Sequence, residues 1–509
     1  MARCIQSFSV VHDRRTWHNG PVNARWHTAS RDDLIAELER QQREIERLRR
    51  EHERADRDRN RYRQQRDALR KKIDRLEDQL DDARRKMYRQ AAPFSRGAPK
   101  RAPRRPGRRP GAAYRRTARR AIPEQVDERH WARLPDACPH CRGGLRVTGT
   151  AQQYQEDLPV VRPIVRAFTI EIGQCRRCGR RVQGRHPLQT SNAVGAAAAQ
   201  LGPHAITLAA VLHTQLGLPL AKVSALFRDR FGLPVTPGGL VHALHRAADR
   251  ASPTYAALRA QVRQSAVVSP DETGWKVGGR LHWLWAFATP NTTVYAILPG
   301  RGFEEAASVL GPDFPGTLVR DGWSPYRRFD QAIHQTCLAH LLRRCRTLIA
   351  DHREYHFAPR IQRILQHALA VRDRYQRGII SPHGLAVARG HLHHQLNGVI
   401  DRPGPRRVAR NFAAHLAIEF PAVFTFLLEP DAIDATNWRA EHALRPAVVT
   451  RKVCGGNRSA EGAHTQQVLA SVLRTIHQRH LDPAPLFDRL LRSPQPTTVL
   501  APPTAAELH

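Results

Sequence analysis

Lysine is almost absent from this sequence, with seven residues in 509, and methionine (2 residues) and aromatic residues (6%) are also scarce. Acidic residues are too few to balance the basic ones, since 46 Asp and Glu stand against 82 Lys and Arg and leave a formal net charge of +36. Arginine supplies nearly all of this excess. A surplus of this size predicts a polyanionic partner, either a nucleic acid or an anionic membrane surface.

An export signal and a clear membrane-spanning run are also missing. The residues before Arg14 contain no apolar core, which argues against a secretory signal. Residues 186–221 include no Asp, Glu, Lys or Arg, but Gly202-Pro203 and several polar side chains interrupt them. This pattern favours two buried helices over a membrane span, so we expect no membrane partner. Without an export signal, the eight cysteines do not indicate disulfides and leave metal binding open.

Residues 1–33 show no clear pattern and are predicted to be a loose tail, whereas residues 34–90 have the pattern of a coiled coil. The latter contain no Gly or Pro. With Leu38 at heptad position a, eleven of the fifteen a and d positions as far as Met87 are apolar or aromatic, and most exceptions lie in the middle. The pattern predicts a dimer through a coiled coil with a weak centre, and one solvated helix is the alternative.

Residues 91–121 are dominated by Pro, Gly, Ala and Arg and cannot bury a core. They are predicted to be a disordered basic linker that lies along DNA phosphates without sequence specificity. The candidate contacts are Arg104, Arg105, Arg108 and Arg109. A solvated spacer is the alternative.

Two C-x2-C pairs separated by 33 residues predict a zinc ribbon over residues 122–195. The four cysteines are Cys138, Cys141, Cys175 and Cys178. Four thiolates leave no open coordination position, so the expected Zn²⁺ is structural. A β-like run lies between the pairs at 164–172, and Arg176 and Arg177 are candidate DNA contacts. Four unrelated free cysteines are the alternative.

Residues 196–262 are predicted to be helical. Helices are expected over 206–216 and 220–231, followed by a turn in which Thr236 is the N-cap of a third helix and Pro237 its first residue. Helix, turn and capped helix fit a helix-turn-helix that binds DNA. A plain helical hairpin fits equally well.

Residues 263–480 contain two carboxylates in similar settings. Asp271 follows a short strand-like run and precedes two segments dense in aromatic and β-branched residues, which predict a β-meander. A short helix is expected over 303–310, and a further strand leads to Asp321. Three strands, a helix and a strand that bears a carboxylate form the front half of a ribonuclease H-like fold. We therefore predict a multidomain α/β protein with a catalytic core of this type.

A third carboxylate, Glu441, lies on a helical stretch, with Asn437 and Arg445 four residues to either side of it. A helical insertion at about 350–430 separates it from the second acid, and residues 481–509 are predicted to be a loose tail. Two strand-borne Asp and one helix-borne Glu suit two hard divalent cations and phosphate chemistry.

With these residues in view, the chain resembles transposases of the insertion sequence 66 family over most of its length. The matching motifs are Ala92-Pro93-Phe94-Ser95, the four ribbon cysteines, Asp271-Glu272-Thr273, Cys337-Leu338-Ala339-His340 with the following Leu341-Leu342-Arg343-Arg344, the 437–445 helix, Arg451-Lys452 and the 458–463 segment. Two departures from the family pattern are Thr436 ahead of Asn437 and His442 after Glu441.

The resemblance implies an aspartate-aspartate-glutamate triad, Asp271, Asp321 and Glu441, on a ribonuclease H-like core that binds two Mg²⁺ ions, with Mn²⁺ as a substitute. Glu461 is the rival third acid. The implied activity is cleavage that frees the 3′ ends of a double-stranded DNA element, followed by strand transfer to target DNA. The resemblance also implies a cytoplasmic, nucleoid-associated bacterial protein and accessory proteins of the same element.

Further candidate DNA contacts lie close to the predicted triad. They are His340, Arg343, Arg344 and Arg445. A structural histidine and a solvated arginine face are the alternatives for these residues. For the whole chain, the alternatives are a non-catalytic DNA-binding relic or repressor on this scaffold, and a ribonuclease H-like nuclease or resolvase that only hydrolyses.

Overall fold

A computed structural model of the chain describes residues 30–88, 122–195 and 200–500, and at residues 70, 71 and 73–88 it describes the backbone alone. The chain forms two compact units, Met1–Arg120 and Ala121–His509. The predicted basic linker, with its four candidate arginines, lies outside the described residues, as do residues 1–29.

The described part of the first unit is one helix of 58 residues, α1 (Arg31–Tyr88). The Ser30 hydroxyl caps it by accepting a hydrogen bond from the backbone N–H of Asp33 at 3.3 Å. Seam residues Leu38 and Leu48 are 64% and 52% exposed along this single helix. The predicted helix is confirmed, while the coiled coil requires a second helix and stays a prediction.

The cysteine region has little regular structure. Its one hairpin pairs β1 (Ile172–Gln174) with β2 (Arg181–Gln183), and the second cysteine pair lies in the turn between them. The predicted strand at 164–172 is wrong apart from Ile172, because residues 122–171 form no helix or strand in the described chain. Val165 is 90% exposed, so its β-branched side chain has no surface to pack against.

Three helices follow, α2 (Pro203–Ala210), α3 (Leu220–Phe231) and α4 (Pro237–Arg263). The predicted cap of α4 is confirmed, because the Thr236 hydroxyl accepts from the Gly239 N–H at 3.0 Å. The helix runs through Pro253 as far as Arg263, and its apolar face is buried along its whole length. No helix in the described part of the chain is long and apolar enough to cross a membrane. The helix-turn-helix stays a prediction.

The second unit is built on a five-stranded sheet with strand order β5-β4-β3-β6-β7. Its strands are β3 (Val267–Val277), β4 (Arg280–Ala288), β5 (Thr293–Leu298), β6 (Thr317–Arg320) and β7 (Ile333–Thr336). Strand β4 is antiparallel to β3 and β5, while β6 and β7 run parallel to β3. The predicted meander is confirmed, and so is the short helix after it, α5 (Phe303–Leu310).

Alternate residues of the strands point to the two faces of this sheet. On β4, Trp285 and Phe287 join a core with α4 and with α11 (Ala460–Gln478). Leu284 and Ala286, which alternate with these two residues, pack on the opposite face against α10 (Trp438–Cys454). Helices therefore cover both faces of the sheet, and the two helix layers face different sets of side chains.

The stretch predicted to be a helical insertion, about 350–430, is helical. The helices are α6 (Leu338–His352), which begins before it, α7 (Phe357–Gln376), α8 (Pro382–Ile400) and α9 (Arg407–Glu419). Breaks at 353–356, 377–381 and 401–406 separate them. The insertion has its own apolar core, which includes Leu365, Leu396 and Phe412, each with no exposed surface.

The predicted loose tail is wrong for residues 483–500. Helix α12 (Pro483–Arg492) starts at an Asp482 cap and buries Phe487 and Leu490. Beyond it, the Val499 N–H donates to the Thr254 hydroxyl of α4 at 3.1 Å. Pro483 and Pro485 lie in the first turn of this helix, where proline is tolerated, and its apolar residues recur at helical spacing.

A buried ion pair joins the insertion to the sheet. The Arg320 guanidinium, at the end of β6, donates to the Glu419 carboxylate at the end of α9 at 2.5 Å, and both side chains are almost fully buried. The Thr336 hydroxyl and Arg327 donate to the same carboxylate at 2.6 and 2.9 Å. Burial alone would raise the pKa of Glu419, but Arg320 and these donors hold it below the usual value.

We expect Glu419→Gln to lower the free energy of unfolding by about 3–5 kcal/mol, because Arg320 would remain as a buried cation without its anion. Urea denaturation measures the change. Glu304→Gln is the control, since it breaks an exposed ion pair with Arg328 (3.2 Å) and should have little effect. Equal losses in the two variants would contradict this role of the Arg320–Glu419 pair.

Candidate active site

The first two predicted carboxylates lie on neighbouring parallel strands, Asp271 within β3 and Asp321 directly after β6. In the register of β3 and β6, Val268 pairs with Leu318. Asp271 and Asp321 each lie three residues further on, so the register itself brings them side by side. Asp271 pairs with Ala286 and therefore points to the sheet face that packs against α10.

The backbone after β6 holds Asp321 in place. Its Oδ1 atom accepts a hydrogen bond from the Trp323 N–H at 2.9 Å. The intervening Gly322 packs against His415 of the insertion, and a Cβ atom at this position would lie 2.6 Å from the His415 ring. A side chain at residue 322 would therefore require the His415 ring to move.

The third carboxylate comes from the first turn of α10. Glu441 is 40% exposed, and its Oε1 lies 3.8 Å from His340 Nε2 and 3.9 Å from an Arg343 guanidinium nitrogen. Asn437 anchors the start of this helix: its side-chain amide donates to the Pro270 carbonyl at 2.8 Å, one residue before Asp271. The helix end and β3 are therefore tied together beside the carboxylates.

The negative charges of Asp321 and Glu441 both act on Asp271. The pKa of Asp271 is raised to about 7, first by burial and then by the negative charges of Glu272, Asp321 and Glu441. In the described chain, no three His, Cys, Asp or Glu side chains are close enough together to hold a metal ion as they stand. The donors nevertheless suit a hard divalent cation, because oxygen ligands whose charges repel one another are stabilised by a cation between them.

A second set of contacts, on the opposite face of β3, supports the two aspartates. Glu272 is buried, forms an ion pair with Arg301 (2.5 Å) and accepts a hydrogen bond from the Tyr326 hydroxyl at 2.6 Å. Arg301 lies between the rings of Trp283 and Trp323, at 4.9 and 4.2 Å from their centroids. Strand alternation alone places Glu272 on the other face from Asp271, but no sequence pattern indicates its partners Arg301 and Tyr326.

The other candidates near the triad have different surroundings. His340 and Arg343 lie beside Glu441, whereas Arg344 stacks on Phe412 of the insertion at 4.9 Å. The rival acid Glu461 lies in the first turn of α11, 72% exposed and 3.8 Å from His245. The charges that raise the pKa of Asp271 include Glu441 and not Glu461.

The last turn of α10 and the segment directly after it hold the β3–β4 hairpin. Arg451 donates to the Thr273 hydroxyl at 2.8 Å and also to the Gly274 carbonyl. The side chain of Asn457 accepts from the Trp275 indole N–H at 2.7 Å. The motif residues around 451–462 thus act on β3 from outside the sheet, a role that their sequence pattern alone does not reveal.

An open cleft of about 440 Å³ runs between β3 and α10 beside the carboxylates. Its lining residues are Asp271, Glu272, Thr273, Glu441, Leu444, Arg445, Val448, Val449 and Lys452. The predicted DNA contact Arg445 therefore shares one cleft with two of the three predicted acids.

The two cysteine pairs adopt the same turn. Cys138 N–H donates to the Gly143 carbonyl at 2.9 Å, and Cys175 N–H donates to the Arg180 carbonyl at 2.8 Å. Backbone N–H groups of the following residues lower the pKa of the Cys138 and Cys175 thiols, which favours thiolates. Within the described residues, no three cysteines lie close enough together to hold a metal ion. The two turns are therefore formed, but their cysteines are not gathered around one point. Arg176 and Arg177 are exposed on the second turn.

The class of protein follows from a comparison with known families. The model of a transposase family matches residues 198–465, from just before α2 to the first turns of α11, which is just over half of the chain and includes all three carboxylates. The chain belongs to the family described as Transposase IS66 family. No curated protein matches the chain significantly.

We expect Asp271→Asn to stabilise the protein at pH 8 without divalent cations, by roughly 1–3 kcal/mol at about 1.4 kcal/mol per pKa unit. Because the folded pKa of Asp271 is raised to about 7, ionisation destabilises the fold as pH rises through that value. The gain should shrink as pH falls toward 4. Thermal melting at several pH values measures it, with Glu461→Gln as the unchanged control, and a gain independent of pH would contradict the assignment.

Proposed function

We propose that this chain is a DNA transposase that frees the 3′ ends of its element and joins them to target DNA, with Asp271, Asp321 and Glu441 as catalytic residues. The placement of the three acids carries this proposal: the register of β3 and β6 sets Asp271 beside Asp321, and Asn437 ties the start of α10, which bears Glu441, to β3. The strand order β5-β4-β3-β6-β7, with β4 alone antiparallel to its neighbours, supports a ribonuclease H-like core.

Asp271, Asp321 and Glu441 would hold two Mg²⁺ ions, for which Mn²⁺ would substitute. When bound, these ions supply activation of the attacking oxygen and stabilisation of the leaving oxygen in phosphoryl transfer. Asp271 must lose its proton to bind a metal ion. Because its pKa is raised to about 7, the metal ions would compete with a proton for this carboxylate near neutral pH.

The cationic side chains around the cluster would bind the DNA backbone. Arg343 is 59% exposed beside Glu441, and Arg445 is exposed within the cleft. His340, 35% exposed and close to Glu441, would orient that carboxylate or a phosphate oxygen. Arg344, stacked on Phe412, would instead fix the insertion beside the site. The net charge of +36 would attract double-stranded DNA of both element and target.

A strand-transfer assay tests the catalytic assignment. A labelled duplex with the terminal sequence of the encoding element is mixed with a plasmid target, Mg²⁺ and the protein. We expect joined product with the wild-type chain and at least a roughly 100-fold loss in Asp271→Asn, Asp321→Asn and Glu441→Gln, because each removes an anionic ligand.

Glu461→Gln is the matched control and should keep full activity. A loss confined to Glu461→Gln would move the third acid to α11. Cleavage without joining would favour a nuclease, or a reaction that needs accessory proteins of the element. Binding without either reaction would favour a non-catalytic DNA-binding protein.

We also propose that Cys138, Cys141, Cys175 and Cys178 bind one structural Zn²⁺ ion. The matching turns and the lowered thiol pKa values support two half-sites, which a zinc ion would draw together.

We expect about one zinc per chain by elemental analysis of the purified protein, and less than half of that in Cys175→Ser, since four thiolates complete a structural site. Cys454→Ser, at an exposed cysteine outside both pairs, is the control and should keep its zinc. A wild-type protein without zinc would contradict the site.

The exposed apolar residues of α1, such as Leu38 and Leu48, support dimerisation through a coiled coil with a second copy of the chain. Two copies would bring two element ends together. Accessory proteins of the same element remain part of this proposal.

A further inference from the structure

We propose that the cleft between β3 and α10 binds one unpaired nucleotide of the DNA strand next to the phosphate that is cut. This inference rests on the proposed function and adds a binding subsite to it. The subsite would consist of Val448 and Val449, which would contact the sugar and base, and of Arg445, which would contact a phosphate.

Along the wall of the cleft formed by α10, charged and apolar side chains follow one another in a fixed order. Glu441, Arg445, Val448, Val449 and Lys452 are spaced at i, i+4, i+7, i+8 and i+11, so they form one stripe along the helix. At about 1.5 Å per residue the stripe is roughly 16 Å long. A carboxylate stands at one end, a lysine at the other, and apolar side chains occupy the middle.

The apolar middle of the stripe is open to solvent in this chain. Val449 is 48% exposed, Val448 is half-buried, and only Leu444 behind them is buried in the core. Covering such surface yields about 25 cal/mol per Å². A ligand with both apolar faces and negative charge therefore complements this wall better than a purely ionic one.

A nucleotide has this combination, because its base and sugar offer apolar faces and its phosphate is anionic. The cleft volume of about 440 Å³ lies within the 300–1,000 Å³ range of small-ligand sites, far too small for a duplex. A paired and stacked base exposes only its edges in the grooves, so a base that rests on Val448 and Val449 must be unpaired. Extrusion costs a few kcal/mol, and least where pairing is already weak.

Continuity with the carboxylates favours the DNA substrate over a protein segment as the occupant. Asp271 and Glu441 line the same cleft as the two valines. A strand whose phosphate lies at those carboxylates would extend directly along α10. A second copy of the chain or another protein on this face is the outcome that the test below separates.

The chain offers a matched pair of variants for the test. Val449 and Val453 lie one turn apart on α10 and are 48% and 54% exposed, but Val453 does not line the cleft. Neither Val449→Ser nor Val453→Ser creates a core cavity, so both variants should fold, and their melting temperatures verify this.

The probe is a duplex with the element's terminal sequence that carries 2-aminopurine at successive positions around the cleavage point. With wild-type protein and Ca²⁺ in place of Mg²⁺, we expect a severalfold fluorescence rise at one position, as expected for an unstacked base. Val449→Ser should lose at least half of this rise and bind the duplex about tenfold more weakly, which corresponds to about 1.4 kcal/mol. Val453→Ser should match the wild type.

Three outcomes would overturn the subsite. The first is a bound duplex without a fluorescence rise at any position, and the second is Val449→Ser behaving like Val453→Ser. The third is a change in oligomeric state in Val449→Ser with unchanged fluorescence, which would assign the face to protein contact. In each of these cases the wild-type chain still cuts and joins DNA, whereas failure of the proposed function removes cutting and joining from every variant, including Val453→Ser.

Discussion

Repulsion between carboxylates held close together is the constraint on which the second unit depends. Asp271 is buried near other negative charges, and its pKa rises to about 7 as a result. Such a cluster persists only when the surrounding structure holds it in place. The register of β3 and β6 sets the two aspartates side by side, and Asn437 ties the start of α10 to the backbone of β3. Ordered strands and a buried amide therefore oppose the repulsion.

Elements outside the sheet also hold the surroundings of the two aspartates in place. The insertion approaches Asp321 closely enough that a side chain at residue 322 would displace His415, and the buried Arg320–Glu419 pair joins the insertion to the sheet at this point. On the far face of β3, Glu272 connects Arg301 and Tyr326 directly behind the aspartates. In the last turn of α10, Arg451 donates a hydrogen bond to the Thr273 hydroxyl of β3. The sheet, the insertion and α10 therefore all have residues in contact with the backbone or side chains next to Asp271 and Asp321.

The charge of the chain and the charge of the site have opposite signs. A net charge of +36 attracts a polyanion over long distances, while a group of carboxylates repels phosphate at short range. The positive side chains of Arg343 and Arg445 lie next to the acids and reduce the repulsion between the carboxylates and a phosphate. A chain of this family that acts on DNA requires both properties, because the cluster that would hold cations must still accept a phosphate between them.

Periodicity and caps are local, so the meander, α5, the Thr236 cap and the helices of the insertion can be predicted from neighbouring residues. Sequence patterns mislead where prolines lie at the start of a helix, as at Pro483, and where a β-like run lacks a packing surface, as at 164–172. Glu441 and Glu461 both begin helices, and the packing of α10 on the sheet, rather than any local pattern, brings the charge of Glu441 to Asp271. The same holds for the Glu272–Arg301 pair, whose partners are brought together by strand pairing rather than by any spacing along the chain.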